Sequence, residues 1–470
     1  MLVIISLDNI ITYSMDIKDI YQQFRNNWLV SNLDQETTTL CRRNNIEIHK
    51  PDILLPNTPW GDWHWHLANR LTNKNLDIFL AIFLDYKNKE NELKKYLEDY
   101  DLSILPINLL QPNGVNKFLP RLNLKQVSDP YGVQQEQSVI TKIENGRKYY
   151  LTTHKKNYAT FLPILGSGAG RVYCPMGCAG CYRGEQTRFG KPLSLIRIDS
   201  TKEQIWLPDP VTQTKWLVEE WNEHYPAVYD ILFSGGEPLM LDNKIWLGIL
   251  QELKNSKYIK SFRICTGALF LGLPFRFDNE FIQMLKDFRM ETGIQIKISA
   301  HVSHPEHITP EAIMFARKLL DAGIEILPQC PLEPGINFWQ DDLEKNVEIL
   351  SRLDNLLATT IGIRTYKWLL DMQGRISLLS AIEVWRQVHD RHQGNSDICR
   401  PTSFAIFLPQ SEGNLNLSYH SLWAIQMQVD RENKIVKYKI PHPARVWVEY
   451  VEPLVEGVND DLGILERLKI

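Results

Sequence analysis

The chain has 470 residues, of which 44% are hydrophobic and 23% charged, and its formal net charge at pH 7 is -4. That length allows a substantial core and more than one domain. The small net charge gives no electrostatic reason to expect nucleic acid or an anionic membrane as a partner. No apolar run approaches the roughly 20 residues that span a bilayer, so we expect a soluble cytoplasmic protein.

The first part of the chain divides into two segments. Residues 1–57 begin with MLVIISLDNIITYSMD, which has neither the basic n-region nor the small-residue cleavage site of a signal peptide. We therefore interpret this run as a buried strand. The prolines of KPDILLPNTP mark the end of the segment. We expect an N-terminal extension over residues 1–57, followed over residues 58–160 by a helical and loop-rich region that packs on the next domain.

Between residues 161 and 370, apolar runs alternate with amphipathic segments. The apolar runs predict strands within 228–236, 259–267, 294–302, 324–332 and 358–367. The segments between them predict helices within 241–256, 278–293, 309–323 and 341–355. In the third of these helices, Thr309 is the expected N-cap and Pro310 the first helical residue. The repeat predicts an α/β fold, a complete or partial TIM-type β/α barrel, with functional groups at the carboxyl ends of its strands.

Residues 371–470 follow a less regular pattern. SFAIFLP (403–409) and RVWVEYVEP (445–453) are strand-like, and no β-α period continues through them. We expect this C-terminal segment to cover the active site.

Three of the seven cysteines form the cluster Cys174-x3-Cys178-x2-Cys181. An odd number of cysteines, with three grouped, is not typical of a disulfide framework. A structural zinc site would need a fourth ligand, and the next cysteine is as far away as Cys265. Three thiolates can instead hold three irons of a [4Fe-4S] cluster and leave the fourth iron open for an exogenous ligand. Three unrelated thiols, or an incomplete metal site, are the alternative.

The cysteine spacing resembles that of radical S-adenosylmethionine (SAM) enzymes. This resemblance implies that the open iron binds SAM and that reductive cleavage of SAM releases a 5′-deoxyadenosyl radical. A second motif, FSGGEPLM, directly follows a predicted strand about 55 residues later and resembles the GGEP element that contacts SAM in that family. Alone, it could be an ordinary strand-to-helix connection. The expected SAM-binding residues are Gly235, Gly236, Glu237, Pro238, Arg263, Ser299 and His301.

A narrower resemblance, to the lysine 2,3-aminomutase (KamA) group of radical SAM enzymes, covers about residues 60–440. Four stretches carry it: WGDWHWHLANR (60–70), FRICTGALFLGLPFRF (262–277), HVSHPEHITPEA (301–312) and LLDAGIEILPQCPLEPGIN (319–337). In the second stretch, Arg-Ile-Cys-Thr stands where the family has Arg-Ile-Gly-Thr. The resemblance also implies that Arg183 pairs with a substrate α-carboxylate, although Arg183 could be a solvated basic loop residue.

Several residues of the aminomutase pattern are replaced in this chain. The lysine that carries pyridoxal phosphate (PLP) in the family aligns near Asn414, and no lysine lies between Trp368 and Lys434. A Schiff base needs a primary amine, which Asn414 lacks. The two aspartates that bind the substrate ammonium group align with Phe338 and Phe407, and such phenylalanines would leave a buried cation without a partner. We therefore expect an enzyme that acts without PLP.

Three hypotheses follow. The first is hydrogen abstraction from an amino-acid or peptide-like substrate, with flavodoxin or ferredoxin as reductant, ending in epimerisation, rearrangement or cleavage. Cys330 could return a hydrogen atom, or could be a buried apolar cysteine. The second is a PLP-dependent aminomutase whose lysine is Lys367 or Lys434. The third is a non-catalytic iron–sulfur or zinc-binding interaction protein. The resemblance also implies a tendency to form homo-oligomers.

Overall fold

The computed structural model describes residues 33–46, 139–156, 159–164, 174, 206, 208–370, 376–392, 400–407, 414–417, 424–442, 445–461 and 463. These residues divide into two compact units. The first unit contains the described residues up to His301 together with Thr309–Leu327. The second contains Val302–Ile308 and the described residues from Pro328 onward. Within the described parts, no helix is long and apolar enough to cross a membrane.

The first unit contains strands and helices that alternate along the chain. In chain order they are α1 (Gln35–Arg43), β1 (Val139–Glu144), β2 (Arg147–Lys156), β3 (Ala159–Ile164), α2 (Pro210–His224), β4 (Asp230–Gly235), α3 (Asn243–Leu253), β5 (Ser261–Thr266), α4 (Asn279–Thr292), β6 (Gln295–His301) and α5 (Pro310–Asp321). Strands β1 to β3 are antiparallel neighbours, whereas β3, β4, β5 and β6 pair in parallel. The hairpin β1–β2 lies in a region that the sequence predicted to be helical and loop-rich, so that prediction was wrong for residues 139–156.

The strands of the first unit bury one face against the helices. Phe233 of β4 packs edge-on against Trp246 of α3 at 5.5 Å, and Phe262 of β5 packs against Phe288 of α4 at 5.9 Å. Such contacts explain why Ile231 and Phe233 of β4, and Phe262 and Ile264 of β5, are apolar, because alternate side chains of a strand point to the same face. The aromatic layer between sheet and helices is the core of this unit.

Strand β7 (Glu325–Pro331) begins in the first unit and ends in the second. The second unit continues with α6 (Leu343–Leu356), β8 (Thr365–Leu369), α7 (Leu378–Arg391), β9 (Arg400–Phe407) and β10 (Asn414–Leu417). Strands β7, β8 and β9 pair in parallel, and β10 is antiparallel to β9. A three-stranded antiparallel sheet follows, formed by β11 (Gln426–Asp430), β12 (Ile435–His442) and β13 (Arg445–Pro453).

These elements confirm the predicted α/β class with the β-α repeat of a partial TIM-type barrel. Thr309 is the N-cap of α5, its hydroxyl accepting the N–H of Ala312 at 3.2 Å, and Pro310 is the first helical residue, as predicted. The prediction of a strand from residue 358 was wrong at its start. Residues Leu357–Ile361 extend α6 as a π-helical turn that ends at Gly362, whose φ is 80°, and β8 begins only at Thr365.

Candidate active site

The loop that follows β4, residues 235–242, begins with a backbone conformation that favours glycine. Gly235 has a φ of 125°, where side-chain-bearing residues are rarely found. Gly235 is buried and Gly236 is half-buried. We call residues 235–242 the β4 loop. Its first two residues bring backbone without side chains to the carboxyl end of a parallel strand, the position where this fold class binds ligands.

Glu237 points into the protein and fixes the β4 loop from within. It is 1% exposed. Its carboxylate accepts the Thr266 hydroxyl at 2.6 Å, the Gly267 N–H at 2.9 Å and the Leu239 N–H at 3.2 Å. Burial raises the pKa of Glu237 to about 7, and the hydrogen bonds from Thr266 and Gly267 limit the increase. Because these contacts engage both carboxylate oxygens, Glu237 connects the loops after β4 and β5.

Arg276 holds the far end of the same loop. Its guanidinium donates from Nε to the Leu239 carbonyl and from Nη2 to the Leu241 carbonyl, both at 2.7 Å. It also lies 4.3 Å from the ring centroid of Phe281, a cation–π contact. Burial lowers the pKa of Arg276 to about 10, so the side chain stays charged at neutral pH. The β4 loop is therefore fixed by one buried acid and one buried base.

The face of β4–β6 opposite α3 and α4 carries most of the polar side chains of these strands, and we call it the polar face. Its members include Asp230, Ser234, Arg263, Cys265, Lys297, Ser299 and His301. Cys265 and Ser299 are in register across β5 and β6. Ser234, Cys265, Ser299 and His301 lie toward the carboxyl ends of their strands, next to the β4 loop. The structure thus brings predicted residues Gly235, Gly236, Ser299 and His301 to one edge of the first unit.

Arg263, another predicted SAM-binding residue, lies one layer closer to the amino ends. Its guanidinium is paired with the buried carboxylate of Asp230 on β4, which also accepts the Ser261 hydroxyl at 2.6 Å. In the same layer, Lys297 of β6 pairs with Glu325 of β7 at 3.0 Å. We call Asp230, Arg263, Lys297 and Glu325 the charged layer. Since its guanidinium is engaged here, the position of Arg263 does not support direct SAM binding.

Cys330 lies on the covered side of β7 in the second unit. It is in register with Trp368 of β8, whose indole N–H donates to Tyr366 at 2.8 Å. The Tyr366 hydroxyl in turn donates to Asp354 of α6. Cys330 is 0% exposed, and burial raises the pKa of its thiol well above the usual value, with further increases from Glu333 and Asp354. This position does not support the predicted role of Cys330 as a hydrogen donor.

A buried amide, not singled out from the sequence, connects two loops of the second unit. Asn337 is 0% exposed. Its Nδ2 donates to the Ser303 carbonyl at 2.7 Å and to the Pro331 carbonyl at 2.9 Å, while its Oδ1 accepts the Glu333 N–H at 2.8 Å. Ser303 follows β6 and Pro331 ends β7. The Asn in the stretch GIN was the available signal, because a polar residue within an apolar, glycine-containing turn is often a buried hydrogen-bonding hub.

The remaining predicted residues are described only in part. Phe338 is 2% exposed, next to Asn337. Phe407 ends β9, and its backbone pairs with that of Asn414 on β10. Cys174 is half-buried, whereas Cys178, Cys181 and Arg183 lie outside the described residues. The part of the chain that the structure describes contains no group of three or more His, Cys, Asp or Glu suited to a metal ion.

The known proteins to which the chain is similar in sequence include several amino-acid 2,3-aminomutases. No protein-family model matches the chain. L-lysine 2,3-aminomutase of Methanococcus maripaludis is 23% identical over 359 residues, which cover 67% of this chain and 74% of that protein. L-lysine 2,3-aminomutase of Clostridium subterminale is 24% identical, with 65% of each chain covered. Glutamate 2,3-aminomutase of Clostridioides difficile is 24% identical, with 59% of each chain covered.

These relatives support a radical SAM enzyme that is similar to the lysine 2,3-aminomutases. The match of this chain spans less than two thirds of the Clostridium and Clostridioides proteins. Among solved structures, a radical SAM methyltransferase from Sphaerobacter thermophilus matches 72% of this chain and 94% of its own, at 14% identity and a TM-score of 0.34. The resemblance predicted from the cysteine and GGEP motifs, and the expectation of an enzyme of the radical SAM class, are confirmed by the aminomutase relatives.

Membership of the radical SAM family implies a [4Fe-4S] cluster and SAM as cofactors. The bare backbone of Gly235 and Gly236 fits the approach of a ligand with polar groups. The fit of PLP is poor, because residues 369–433 contain no lysine. At the predicted anchor position, Asn414 stands in β10.

Proposed function

We propose that the chain is a radical SAM enzyme that abstracts hydrogen from an amino-acid or peptide-like substrate without PLP. In this proposal Cys174, Cys178 and Cys181 hold a [4Fe-4S] cluster. When bound, the cluster supplies the electron that cleaves SAM into methionine and the 5′-deoxyadenosyl radical. A low-potential reductant such as flavodoxin or ferredoxin would supply the electron, and the active enzyme would be a homo-oligomer.

The observation that carries this proposal is the way in which Glu237 and Arg276 fix the β4 loop. The two buried side chains direct their hydrogen bonds to the loops themselves. This leaves the backbone of Gly235 and Gly236 as the ligand-facing part of the GGEP motif. A preorganised backbone loses little entropy on binding, and its carbonyl groups can accept from the ammonium group of SAM.

The substrate class rests on the polarity of the replaced residues. Phe338 is buried at a position where the aminomutase pattern has an aspartate. An apolar side chain there offers no counterion for a cationic substrate side chain, which would cost several kcal/mol to bury. We therefore propose that the substrate's side chain is neutral and that Arg183 binds the substrate's α-carboxylate or a peptide carbonyl.

The decisive experiment is anaerobic reconstitution with iron and sulfide, followed by addition of SAM and dithionite. We expect four irons per chain and the appearance of 5′-deoxyadenosine by mass spectrometry. Cys174→Ala should lose both. The matched control is Cys41→Ala, a fully buried cysteine of α1, which should retain both. A protein with a full complement of iron that forms no 5′-deoxyadenosine would refute the proposal and favour a non-catalytic iron–sulfur protein.

A second candidate is a PLP-dependent amino-acid 2,3-aminomutase, favoured by the similarity to L-lysine and glutamate 2,3-aminomutases. Its lysine would be Lys367 or Lys434. Lys367 is exposed on β8, and Lys434 is exposed in the β11–β12 turn with a φ of 53°. Catalytic lysines are usually desolvated, which lowers their pKa. The visible absorption band of lysine-bound PLP, lost on replacing one of these lysines, would revive this candidate.

A further inference from the structure

Two aromatic side chains of β8 and two ionisable side chains form a buried polar chain in the second unit. The Trp368 indole N–H donates to the Tyr366 oxygen at 2.8 Å, and the Tyr366 hydroxyl donates to Asp354 Oδ1. The other carboxylate oxygen of Asp354 lies 3.2 Å from Nε2 of His392, the C-cap of α7. We call these four residues the aromatic relay. None of them has a role in the proposed function.

The aromatic relay is shielded from water along its whole length. Trp368 and Asp354 are 0% exposed, Tyr366 is 3% exposed and His392 is 6% exposed. Desolvation raises the pKa of Asp354 to about 6, and the contacts with His392 and Tyr366 limit the increase. At neutral pH the Asp354 carboxylate is therefore ionised, and it is a base in direct contact with a phenol.

This arrangement is suited to the one-electron oxidation of Tyr366. Removing an electron from a phenol makes its proton strongly acidic, so the oxidation is easiest where a base within hydrogen-bond reach takes that proton. Asp354 already accepts the hydrogen bond of this proton. After the transfer, the phenoxyl oxygen would accept from the Trp368 indole and from the protonated Asp354, and both donors would stabilise a neutral tyrosyl radical.

Another buried tyrosine of the second unit has a different environment. The Tyr438 hydroxyl donates to Glu452 Oε1 at 2.8 Å. The same oxygen also accepts the Ser377 hydroxyl at 3.0 Å and the Asn459 amide at 2.9 Å. A proton taken up by this oxygen would weaken both of these buried hydrogen bonds. Tyr438 is therefore a matched control for Tyr366: it is buried against a carboxylate that is poorly arranged to accept its proton.

Trp368 connects Tyr366 to the end of the strand at which this fold class carries its chemistry. It is the last residue but one of β8, and the functional groups of β/α barrels lie at the carboxyl ends of their strands. An indole is readily oxidised by one electron, and its N–H contact with the phenol provides a direct link to Tyr366. An electron can thus leave Tyr366 toward the carboxyl end of β8 while the proton moves to α6.

We propose that Tyr366 is a reversible one-electron donor that quenches damaging radicals through Trp368, with Asp354 as its proton acceptor. Only the origin of these radicals rests on the proposed function. The oxidant is a peroxyl radical, formed when dioxygen adds to a carbon radical. It takes one electron from Tyr366 and one proton from solvent and becomes a hydroperoxide. The phenolic proton of Tyr366 moves to Asp354, and a neutral tyrosyl radical remains. One electron from the low-potential reductant, together with the return of the proton from Asp354, restores the tyrosine.

The first test needs neither the cluster nor SAM. The full chain, with 3-fluorotyrosine in place of Tyr366, is oxidised by flash-generated tris(bipyridine)ruthenium(III) and frozen for electron paramagnetic resonance. We expect a tyrosyl radical with fluorine hyperfine splitting, which arises only where the radical lies on the labelled ring. The chain with 3-fluorotyrosine in place of Tyr438 should show no such splitting. Absence of fluorine splitting from the chain labelled at Tyr366 would overturn the inference.

The second test addresses the proton acceptor. Asp354→Asn keeps the shape of the side chain and an oxygen for the phenol, but an amide is not a base. In the chain labelled at Tyr366, we expect this variant to lose the fluorine-split signal. Asp430→Asn, which changes a carboxylate at the end of β11, should keep it. Circular dichroism checks that both variants fold. An undiminished signal in Asp354→Asn would refute the role of Asp354.

The third test uses peroxyl radicals themselves. The parent chain, Tyr366→Phe and Tyr438→Phe are exposed in air to a water-soluble azo initiator, which releases peroxyl radicals, and oxidation of Trp368 is followed by peptide mass spectrometry. We expect more oxidised Trp368 in Tyr366→Phe, because the indole is no longer re-reduced, and the parent level in Tyr438→Phe. Equal oxidation in all three would refute the quenching role. Because no test needs SAM, a parent chain that forms no 5′-deoxyadenosine would refute the proposed function alone.

Discussion

The backbone N–H of Gly267, just after β5, donates to the carboxylate of Glu237, just after β4, at 2.9 Å. One buried acid thus joins two loops at the carboxyl edge of the first unit. In the proposed function, contact with SAM falls to the backbone of Gly235 and Gly236, and Glu237 keeps that backbone in place.

Replacing Glu237 by Ala should destabilise the protein strongly. The change leaves the Thr266 hydroxyl and two backbone N–H groups without their acceptor, and each buried unsatisfied group costs roughly 1–3 kcal/mol. We expect the free energy of unfolding to fall by about 3 kcal/mol or more in urea titrations. Glu291→Ala removes an exposed partner of Lys254 and should cost less than about 1 kcal/mol. Equal losses in the two variants would contradict this structural role.

Glu237 should also make stability depend on pH. Its pKa in the folded protein is raised to about 7 from 4.5 in the unfolded chain. Between these values the folded protein holds a proton that the unfolded chain releases, so the free energy of unfolding should decrease as pH rises from about 4.5 to about 7. Asp354, whose burial raises its pKa to about 6, acts in the same direction. Urea titrations across this range should show a shallower decrease for Glu237→Gln than for the parent; parallel curves would contradict the assignment.

Arg276→Lys should loosen the β4 loop while keeping the charge. A lysine ammonium cannot reproduce the two hydrogen bonds to Leu239 and Leu241 together with the stacking on Phe281. We expect a loss of about 2 kcal/mol in the free energy of unfolding and weaker SAM binding by calorimetry. Arg386→Lys changes a partly exposed arginine paired with Glu383 and Asp390, and should leave SAM affinity unchanged. Unaltered SAM affinity in Arg276→Lys would show that the loop does not need this anchor.

Asn337→Ala should destabilise the second unit. It removes the donors to the Ser303 and Pro331 carbonyls and the acceptor of the Glu333 N–H. We expect a loss of about 2–3 kcal/mol in the free energy of unfolding. The matched control is Asn355→Ala, because the Asn355 side chain is exposed on α6. A loss in Asn337→Ala no larger than in the control would indicate that the two loops are held together by other contacts.

Much of the first unit could be predicted from the sequence because its strands and helices follow strict periodicities. The strands at 230–235, 261–266 and 295–301 lie inside the predicted runs. Apolar residues at every second position report burial on one face directly. The predicted strand at 358–367 began too early because the β-branched residues Thr359, Thr360 and Ile361 intrinsically favour strands. In the structure these residues instead continue α6 as a π-helical turn, since tertiary packing overrides local propensity.

Which face of its strand each cysteine occupies is harder to predict, although the alternation of apolar residues indicates it. In β5 the apolar positions are Phe262 and Ile264, so Cys265 falls on the other face. In β7, Ile326 and Cys330 share a phase, so this cysteine belongs to the core. The position of Cys330 at a strand's carboxyl end favours a functional role, whereas the phase of β7 places its side chain in the core. The positions of Arg276 and Asn337 depend on loop geometry, which a single sequence does not encode as a period.

The ion pairs of the charged layer lie toward the amino ends of the strands and fix the strand register. A slip of one residue in β5 or β6 would turn Arg263 or Lys297 into the aromatic layer beneath the helices, where an unpaired cation is strongly disfavoured. The strand alignment is thus secured independently of the residues above it. Side chains at the carboxyl ends of these strands can therefore change without altering the strand register.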